Sequence, residues 1–229
     1  LIYGIYILHK KTPKAVKDCT EFTYQSKIWM LSALPMALTG GALMINSHLD
    51  LVILGWFVDM DDIGIYRVVV QSSGLGLFSL SVVNMFVSPY FAKIYKEGNL
   101  NSLRKILIQT QYISFLIAIF FAFFFYCMGE YFLSFVFGVE YVAGYYPLII
   151  LVAGNLINAA FGSVGLLLNM TGHEKQIAKI ILISLIINAT LNFILIPKFG
   201  LNGAAVSTSL SVVFWNIFAR VLVYKKIGV

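Results

Sequence analysis

The chain contains the sequence Asn188-Ala-Thr-Leu-Asn192-Phe-Ile-Leu-Ile-Pro197-Lys-Phe-Gly200-Leu-Asn-Gly203-Ala-Ala-Val-Ser-Thr208. It ends one long apolar segment, turns, and immediately begins another. Pro197 cannot continue a helix interior, and Gly200 and Gly203 permit a tight return of the backbone. Asn188 and Asn192 lie four residues apart and therefore share one helical face. We predict two membrane-spanning helices joined by a tight turn, with polar groups facing each other near that turn.

The composition outside this sequence also indicates a membrane protein. Of the 229 residues, 60% are hydrophobic and 11% are charged, and the mean hydropathy is +0.88, whereas soluble domains carry about 25% charged residues. The formal net charge is +6, which in a soluble protein would suggest nucleic-acid binding. Here the basic residues lie in short gaps between apolar segments, so we expect membrane lipids and no nucleic acid as partners.

Apolar segments of membrane length recur along the whole chain. A β-barrel would need strands of about ten alternating residues, but these segments are longer and do not alternate. We therefore predict an all-α bundle of six transmembrane helices, at residues 28–57, 63–91, 106–128, 145–169, 180–197 and 201–223.

The start of the chain predicts a piece of a longer protein. Residues 1–9 are expected to be the end of a preceding transmembrane helix, because an apolar run precedes the first basic residues and the first residue is leucine. Residues 10–27 form a basic cytoplasmic linker in this interpretation, and residues 28–229 form the six-helix lobe.

The distribution of lysine and arginine predicts the orientation. Alternate gaps and the end of the chain hold 14 of these 16 residues, and the opposite gaps hold only Lys198, with Arg67 just inside a span. Because cytoplasmic loops carry the excess of basic residues, the rich side is predicted to be cytoplasmic. Six spans then place both ends of the chain inside the cell.

Three polar residues are predicted to lie at one depth. Asp50 precedes the outer end of its span by seven residues, Asn192 precedes Pro197 by five, and Thr208 follows Leu201 by seven. At a rise of 1.5 Å per residue, all three fall about 8–11 Å below the outer boundary. An aspartate at that depth costs about 2.5–3.5 kcal/mol if it has no partner, and somewhat less away from the centre.

Two interpretations of these residues remain open at this point. Carboxylate, amide, hydroxyl and free carbonyl oxygens together suit a hard monovalent cation. Alternatively, the asparagines join helices by hydrogen bonds, Thr208 bonds to the carbonyl of Ala204, and Asp50 is protonated or pairs with Arg67 on the next span.

Other polar residues give weaker signals. Arg67 either extends to the outer headgroups or faces a cavity where it attracts a phosphate. His48 is interpreted as a packed, hydrogen-bonded histidine. Gly74-Leu75-Gly76 and Gly162-Ser163-Val164-Gly165 are interpreted as small-residue packing faces within spans.

Several short motifs, in order, resemble one transporter family. They are Pro35 followed by Asp50, Gly64-Ile65-Tyr66 opening the second span, Pro89 closing it, Phe137-Gly138-Val-Glu-Tyr141, Gly154-Asn155, Thr171-Gly172-His-Glu-Lys175, and the Asn188–Ala205 sequence. Their order and spacing resemble the polysaccharide biosynthesis group, the Wzx-type flippases of O-antigen and other lipid-linked oligosaccharides. This group belongs to the multidrug/oligosaccharidyl-lipid/polysaccharide (MOP) exporter superfamily.

The resemblance implies an architecture and a cation site. In this superfamily two six-helix lobes face a central cavity, and the chain resembles the second lobe, so its missing partner would be the N-terminal lobe. The related lipid II flippase branch holds sodium in that lobe, and its ligand positions correspond here to Asp50, Asn188, Asn192, Ala204 and Thr208. Asn192 departs from that branch, which has an acid there, so the coupling ion is expected to be Na⁺, H⁺ or none.

The resemblance also implies the function. We expect half of an ion-coupled flippase in the bacterial cytoplasmic membrane, moving undecaprenyl-pyrophosphate-linked oligosaccharide units, with Arg67 as a phosphate contact. The alternative is a multidrug or small-molecule cation antiporter of the same architecture. An enzyme is not expected, because no long hydrophilic loop and no constellation of acids and histidines is present.

Overall fold

The computed structural model describes residues 26–229, without the side chains of Lys27, Ile28, Ser32 and Ser79. The predictions for residues 1–9 and for most of the basic linker therefore lie outside the described residues. The chain divides into two compact units, Leu1–Ala33 and Leu34–Val229. Of the first unit only the beginning of one helix is described, and the account below concerns the second unit.

The described chain is built from helices. They are α1 (Ser26–Leu54), α2 (Met60–Ser73), α3 (Leu75–Lys96), α4 (Leu100–Val136), a 3₁₀ helix (Val139–Gly144), α5 (Tyr145–Phe161), α6 (Val164–Met170) and α7 (Glu174–Ile227). By length and apolar composition, four helical segments of the described chain could cross a membrane, or five if the bent pair α2–α3 counts as one span.

The longest element, α7, consists of two antiparallel arms. Its 54 residues include Gly200, whose φ of 54° and ψ of −131° are not helical. Ser184 bonds to the Ser211 carbonyl and Asn188 bonds to Thr208, so residues on either side of Gly200 lie next to each other. We call residues 174–199 the first arm and residues 201–227 the second arm. When the bent pair α2–α3 counts as one span and each arm of α7 as another, the described chain has six spans. This number agrees with the predicted all-α bundle.

The position of this turn differs from the prediction. Pro197 does not end its helix, because the helix continues to Gly200 before the backbone reverses. Gly203 then allows the arms to approach, since a Cβ atom at this position would collide with the carbonyl of Leu195. The prediction that Pro89 closes the second span is also wrong, because Pro89 lies inside α3.

Two of the predicted spans contain breaks that the hydropathy does not reveal. The second span divides at Gly74 into α2 and α3, and the bend of 43° in this span lies between residues 60–78 and residues 80–96. The fourth divides at Gly162, whose φ is 66°. A Cβ atom at Gly162 would lie 3.0 Å from the Cα of Gln111, so this glycine both turns the backbone and packs closely, as the small-residue interpretation expected. The third span is longer than predicted, because α4 runs on to Val136.

Helix α5 lies centrally, in contact with α2, α3, α4 and α7. Gly154 of α5 allows the second arm to approach closely, because a Cβ atom there would lie 2.5 Å from the Ser209 hydroxyl oxygen. That hydroxyl donates to the Ile150 carbonyl at 3.0 Å. One buried apolar cluster contains Ile53 and Leu54 of α1 with Tyr66 of α2 and Ala204 of the second arm. This cluster encloses the polar site described next.

Candidate functional site

The site is built around a carboxylate buried inside the bundle. Asp50, near the end of α1, is 4% exposed. Its Oδ1 accepts a hydrogen bond from Asn192 Nδ2 at 2.8 Å. Its Oδ2 accepts one from the Tyr66 hydroxyl at 3.1 Å and another from the Thr208 hydroxyl. The donors come from α2 and from both arms of α7, so one carboxylate joins three helices.

The two asparagines of the first arm form a ladder that extends from Asp50. Asn192 Nδ2 also donates to Asn188 Oδ1 at 3.0 Å. Asn188 Nδ2 in turn donates to the hydroxyls of Thr208, at 3.3 Å, and Ser211, at 3.2 Å. Asn188, Asn192 and Ser211 are fully buried. The network therefore continues about one helical turn along the bundle from the carboxylate.

The sequence forms this ladder for local reasons. Asn188 and Asn192 are four residues apart, and Thr208 and Ser211 are three apart, so each pair lies on one face of its arm. The reversal at Gly200 places these two faces opposite each other. Because burying a carboxylate or an amide without hydrogen bonds is costly, the network accounts for the presence of these polar side chains inside the bundle.

The structure brings together four of the five residues predicted for the cation site. Asp50, Asn188, Asn192 and Thr208 are joined by hydrogen bonds. Ala204 is fully buried in the second arm, one helical turn from Thr208.

Of the alternative local interpretations, the one in which the asparagines join helices by hydrogen bonds is confirmed, and two others are not. Among the described residues the only ion pair joins Lys93 and Glu97, so Asp50 does not pair with Arg67. The Thr208 hydroxyl donates to Asp50 and not to the Ala204 carbonyl.

The sequence reasoning missed two members of the network. Tyr66 is fully buried against Asp50, although it was noted only as part of a family motif. Ser211 follows Thr208 by three residues, and this spacing was the available signal for it. For Tyr66 the sequence offers no comparable signal, because a tyrosine near the outer end of a span is also typical of the membrane interface.

One atom of the network has no hydrogen-bond partner among residues 26–229. Asn192 Oδ1 is buried and unbonded, although the Nδ2 of the same side chain makes two bonds. A buried acceptor without a donor is uncommon and calls for an explanation. An amide oxygen next to a buried carboxylate and a hydroxyl is a donor set that suits a monovalent cation, a hydronium ion or a bound water. The residues present therefore fit the predicted cation site.

Arg67 faces a different space. It lines a cavity of about 420 Å³ together with His48, Ser47 and Gln71, and its side chain is exposed. Arg67 and His48 are the two basic residues in the lining. Because Arg67 directly follows Tyr66 in α2, the same helix contributes to the carboxylate site and to this basic cavity.

Comparison with known proteins supports a transporter fold. Two solved structures are each 17% identical to the chain. The matched region is 88% of this chain and 44–45% of theirs, with a TM-score of 0.70. One is the outward-facing conformation of a multidrug resistance MATE family transporter of the MOP superfamily. The other is a MOP superfamily transporter from Pyrococcus furiosus. At this identity, the comparison concerns the fold alone.

Curated relatives are named for glycan biosynthesis. The probable low-salt glycan biosynthesis flippase Agl15 of Haloferax volcanii is 26% identical, over 72% of this chain and 35% of its own length. The capsular polysaccharide biosynthesis protein CapF of Staphylococcus aureus is 28% identical, over 85% of this chain and 49% of its own length. The chain therefore spans less than half the length of these relatives.

The family assignment rests on nearly the whole chain. The family model described as lipid II flippase MurJ matches residues 21–229, which includes every residue of the polar network. This match confirms the predicted relationship to flippases, and the fold agrees with it. The chain belongs to the lipid II flippase MurJ family.

Proposed function

We propose that the full-length protein moves undecaprenyl-pyrophosphate-linked oligosaccharide repeat units across the bacterial cytoplasmic membrane, and that this chain is its second lobe. The observation that carries the proposal is the buried Asp50 carboxylate, which groups from α2 and both arms of α7 hold in place. A charged side chain inside a membrane bundle is costly and typically marks a transport or ion pathway. The glycan-related names of the relatives support the choice of substrate.

The basic cavity next to this site supports an anionic headgroup. Arg67 offers a planar set of donors that matches phosphate oxygens, and the cavity of about 420 Å³ leaves room for part of a headgroup. We propose that Arg67 contacts the pyrophosphate while the polyprenyl tail remains in lipid. A multidrug cation antiporter is the alternative, but a cavity containing Arg67 would repel cationic drugs.

We further propose that transport is coupled to Na⁺ or H⁺ at Asp50. The unbonded Asn192 oxygen supports this proposal, since a turn of the amide would bring a free acceptor to the carboxylate. The remaining oxygens would come from Asn188, Thr208 and the carbonyl of Ala204. A cation that binds one conformation more tightly than the other shifts the equilibrium between them by that difference in affinity. Alternating access between two lobes would then move the headgroup outward.

The proposed topology follows the distribution of charge. Of the 16 lysine and arginine residues, 14 lie in alternate gaps and at the end of the chain, which supports a cytoplasmic location for both ends. The cavity would be completed by the N-terminal lobe. The partners are therefore the lipid-linked substrate, the membrane lipids and the other half of the same protein.

The test is rescue of surface-glycan export by the full-length protein in a strain that lacks its own flippase. Asp50→Asn keeps the size of the side chain but removes the charge, and Arg67→Ala removes the phosphate contact. We expect Asp50→Asn to abolish the dependence of flipping on the ion gradient, and Arg67→Ala to raise the substrate concentration needed for half-maximal flipping. Failure of the wild-type protein to rescue export would reject the glycan substrate, and ion dependence retained in Asp50→Asn would reject the coupling.

A further inference from the structure

A second cavity, of about 300 Å³, opens directly onto Asp50. We call it the access cavity and define it by its six most polar lining residues, which come from four helices: Asn46, Asp50, Ser73, Asn155, Asn158 and Thr208. Asp50 is the only titratable side chain in its lining. Because several polar side chains line one part of this cavity and it is much larger than one water molecule, water can occupy it.

Asn46 supplies an unused acceptor in this cavity. It precedes Asp50 by four residues in α1, so the two side chains lie on the same helical face, and both line the access cavity. Asn46 Oδ1 is buried and has no hydrogen-bond partner among the described residues. A buried amide oxygen without a donor is the kind of group that binds a cation or an ordered water.

Two other amides of the cavity wall are held in place by bonds of their own. Asn155 Nδ2 donates to the Ser73 carbonyl at 2.9 Å. At the Gly74 break the Leu77 N–H donates to the Gly74 carbonyl. In a regular helix it would donate to the Ser73 carbonyl, which is therefore available to Asn155. Asn158 Oδ1 accepts from Asn216 Nδ2 at 2.8 Å. Asn46 Oδ1 is therefore an acceptor without a partner among the described residues, one helical turn from the carboxylate, on a wall whose other two amides are held by hydrogen bonds.

We propose that the access cavity is a second, hydrated binding station, where a monovalent cation is held by Asn46 Oδ1 and water before it moves one helical turn to Asp50. The cation is Na⁺ or hydronium, which share this chemistry of oxygen ligands. The inference rests on the proposed ion coupling at Asp50. It adds Asn46 to the residues that bind the cation. It also adds a route from water to Asp50, which is otherwise buried in protein.

The test compares two opposite substitutions in the full-length protein reconstituted into lipid vesicles. Asn46→Leu removes the amide oxygen, and we expect the cation concentration for half-maximal flipping to rise about tenfold, the effect of losing one ligand to a charged group. Asn46→Asp adds a negative charge one turn from Asp50 and should lower that concentration. One series varies Na⁺ at constant pH, and the other varies pH without Na⁺, so that the two series identify the cation.

Asn169→Leu is the matched control. Asn169 also carries a buried Oδ1 without a partner, but it lies in α6 and does not line the access cavity. Its substitution should therefore leave the half-saturating cation concentration unchanged. If Asn46→Leu is poorly inserted, Asn46→Cys in a cysteine-free background gives a second measurement. A charged thiol reagent should modify it from water, and saturating cation should slow that reaction.

The outcomes separate this inference from the proposed function. If Asp50→Asn abolishes cation dependence but neither Asn46 variant shifts the half-saturating concentration, the second station does not exist and the coupling proposal stands. If Asn46→Cys is not modified from water, the hydrated route is wrong. If Asp50→Asn keeps its cation dependence, the coupling at Asp50 fails, and the station proposed to supply that site fails with it.

Discussion

The replacement of Asn192 by aspartate is the most direct test of the polar network. In the wild-type protein, Asn192 Nδ2 donates to Asp50 at 2.8 Å and to Asn188 at 3.0 Å. A carboxylate cannot donate, so Asn192→Asp replaces both bonds with contacts between acceptors. The variant also places a second carboxylate beside Asp50, so it should change cation binding as well as stability.

The size of the effect follows from the geometry. Two unit charges about 4 Å apart interact by roughly 4 kcal/mol at an effective dielectric constant of about 20. Without a cation this repulsion destabilises the folded protein, and a bound cation removes most of it. Since about 1.4 kcal/mol corresponds to a factor of ten, the affinity for the cation should rise by up to about a thousandfold relative to the wild-type protein.

The assay is thermal unfolding of the purified full-length protein in Na⁺ and in choline. We expect Asn192→Asp to have a lower Tm than the wild-type protein in choline, and to regain stability as Na⁺ increases, because a ligand that binds only the folded state stabilises it. Asn169→Asp places the same charge at a buried amide outside the network, and its Tm should not respond to Na⁺. If Asn192→Asp responds neither to Na⁺ nor to acid, the two side chains are not in contact and the described site is wrong.

Three further substitutions test the packing around the site, each by the Tm of the full-length protein. Tyr66→Phe removes the hydroxyl that donates to Asp50 at 3.1 Å and should cost about 1.5–3 kcal/mol, as for hydrogen bonds to charged groups; a wild-type Tm would show that the bond contributes nothing. Gly154→Val places a Cβ atom 2.5 Å from the Ser209 hydroxyl oxygen. It should lower the free energy of unfolding by about 1–3 kcal/mol, because it forces α5 away from the second arm. An unchanged Tm would contradict this close approach. Gly200→Ala introduces a side chain where φ is 54° and should cost about 1–3 kcal/mol of backbone strain, although nothing lies within 4 Å of the new atom. Gly40→Ala, equally open but in a regular helix, is its control and should be neutral or stabilising by up to about 1 kcal/mol.

The all-α architecture was predictable because its signal is compositional. Apolar segments of membrane length must satisfy their backbone groups internally, and helices do so within one segment. The breaks at Gly74 and Gly162 were not predictable in the same way. Hydropathy continues through both positions, and each break is stabilised by a distant residue: Asn155 bonds to the carbonyl before Gly74, and Gln111 bonds to the Ala160 carbonyl before Gly162.

The relative level of the polar residues along their helices was predictable to within one helical turn. The rotation of these residues about the helix axes was not. Counting residues from the outer ends placed Asp50, Asn192 and Thr208 at one level, and the structure joins them by hydrogen bonds. Counting cannot establish which way Tyr66 points, because that depends on the packing of α2 against α1 and α5. For the same reason the sequence left open whether Arg67 pairs with Asp50, whereas in the structure Arg67 lines a separate cavity.

The orientation of Asn192 connects the network to the proposed coupling. Its amide nitrogen faces Asp50 and Asn188, and its oxygen has no partner. A cation at Asp50 would be repelled by the amide hydrogens and attracted by the amide oxygen, so cation binding requires this side chain to turn. Turning it breaks the bond to Asn188, whose own amide nitrogen contacts the second arm through Thr208 and Ser211. In the proposed coupling, a cation at Asp50 would therefore change a hydrogen bond next to those that join the two arms. A difference of that kind between two arrangements is what a bound ion needs in order to favour one conformation of the lobe over another.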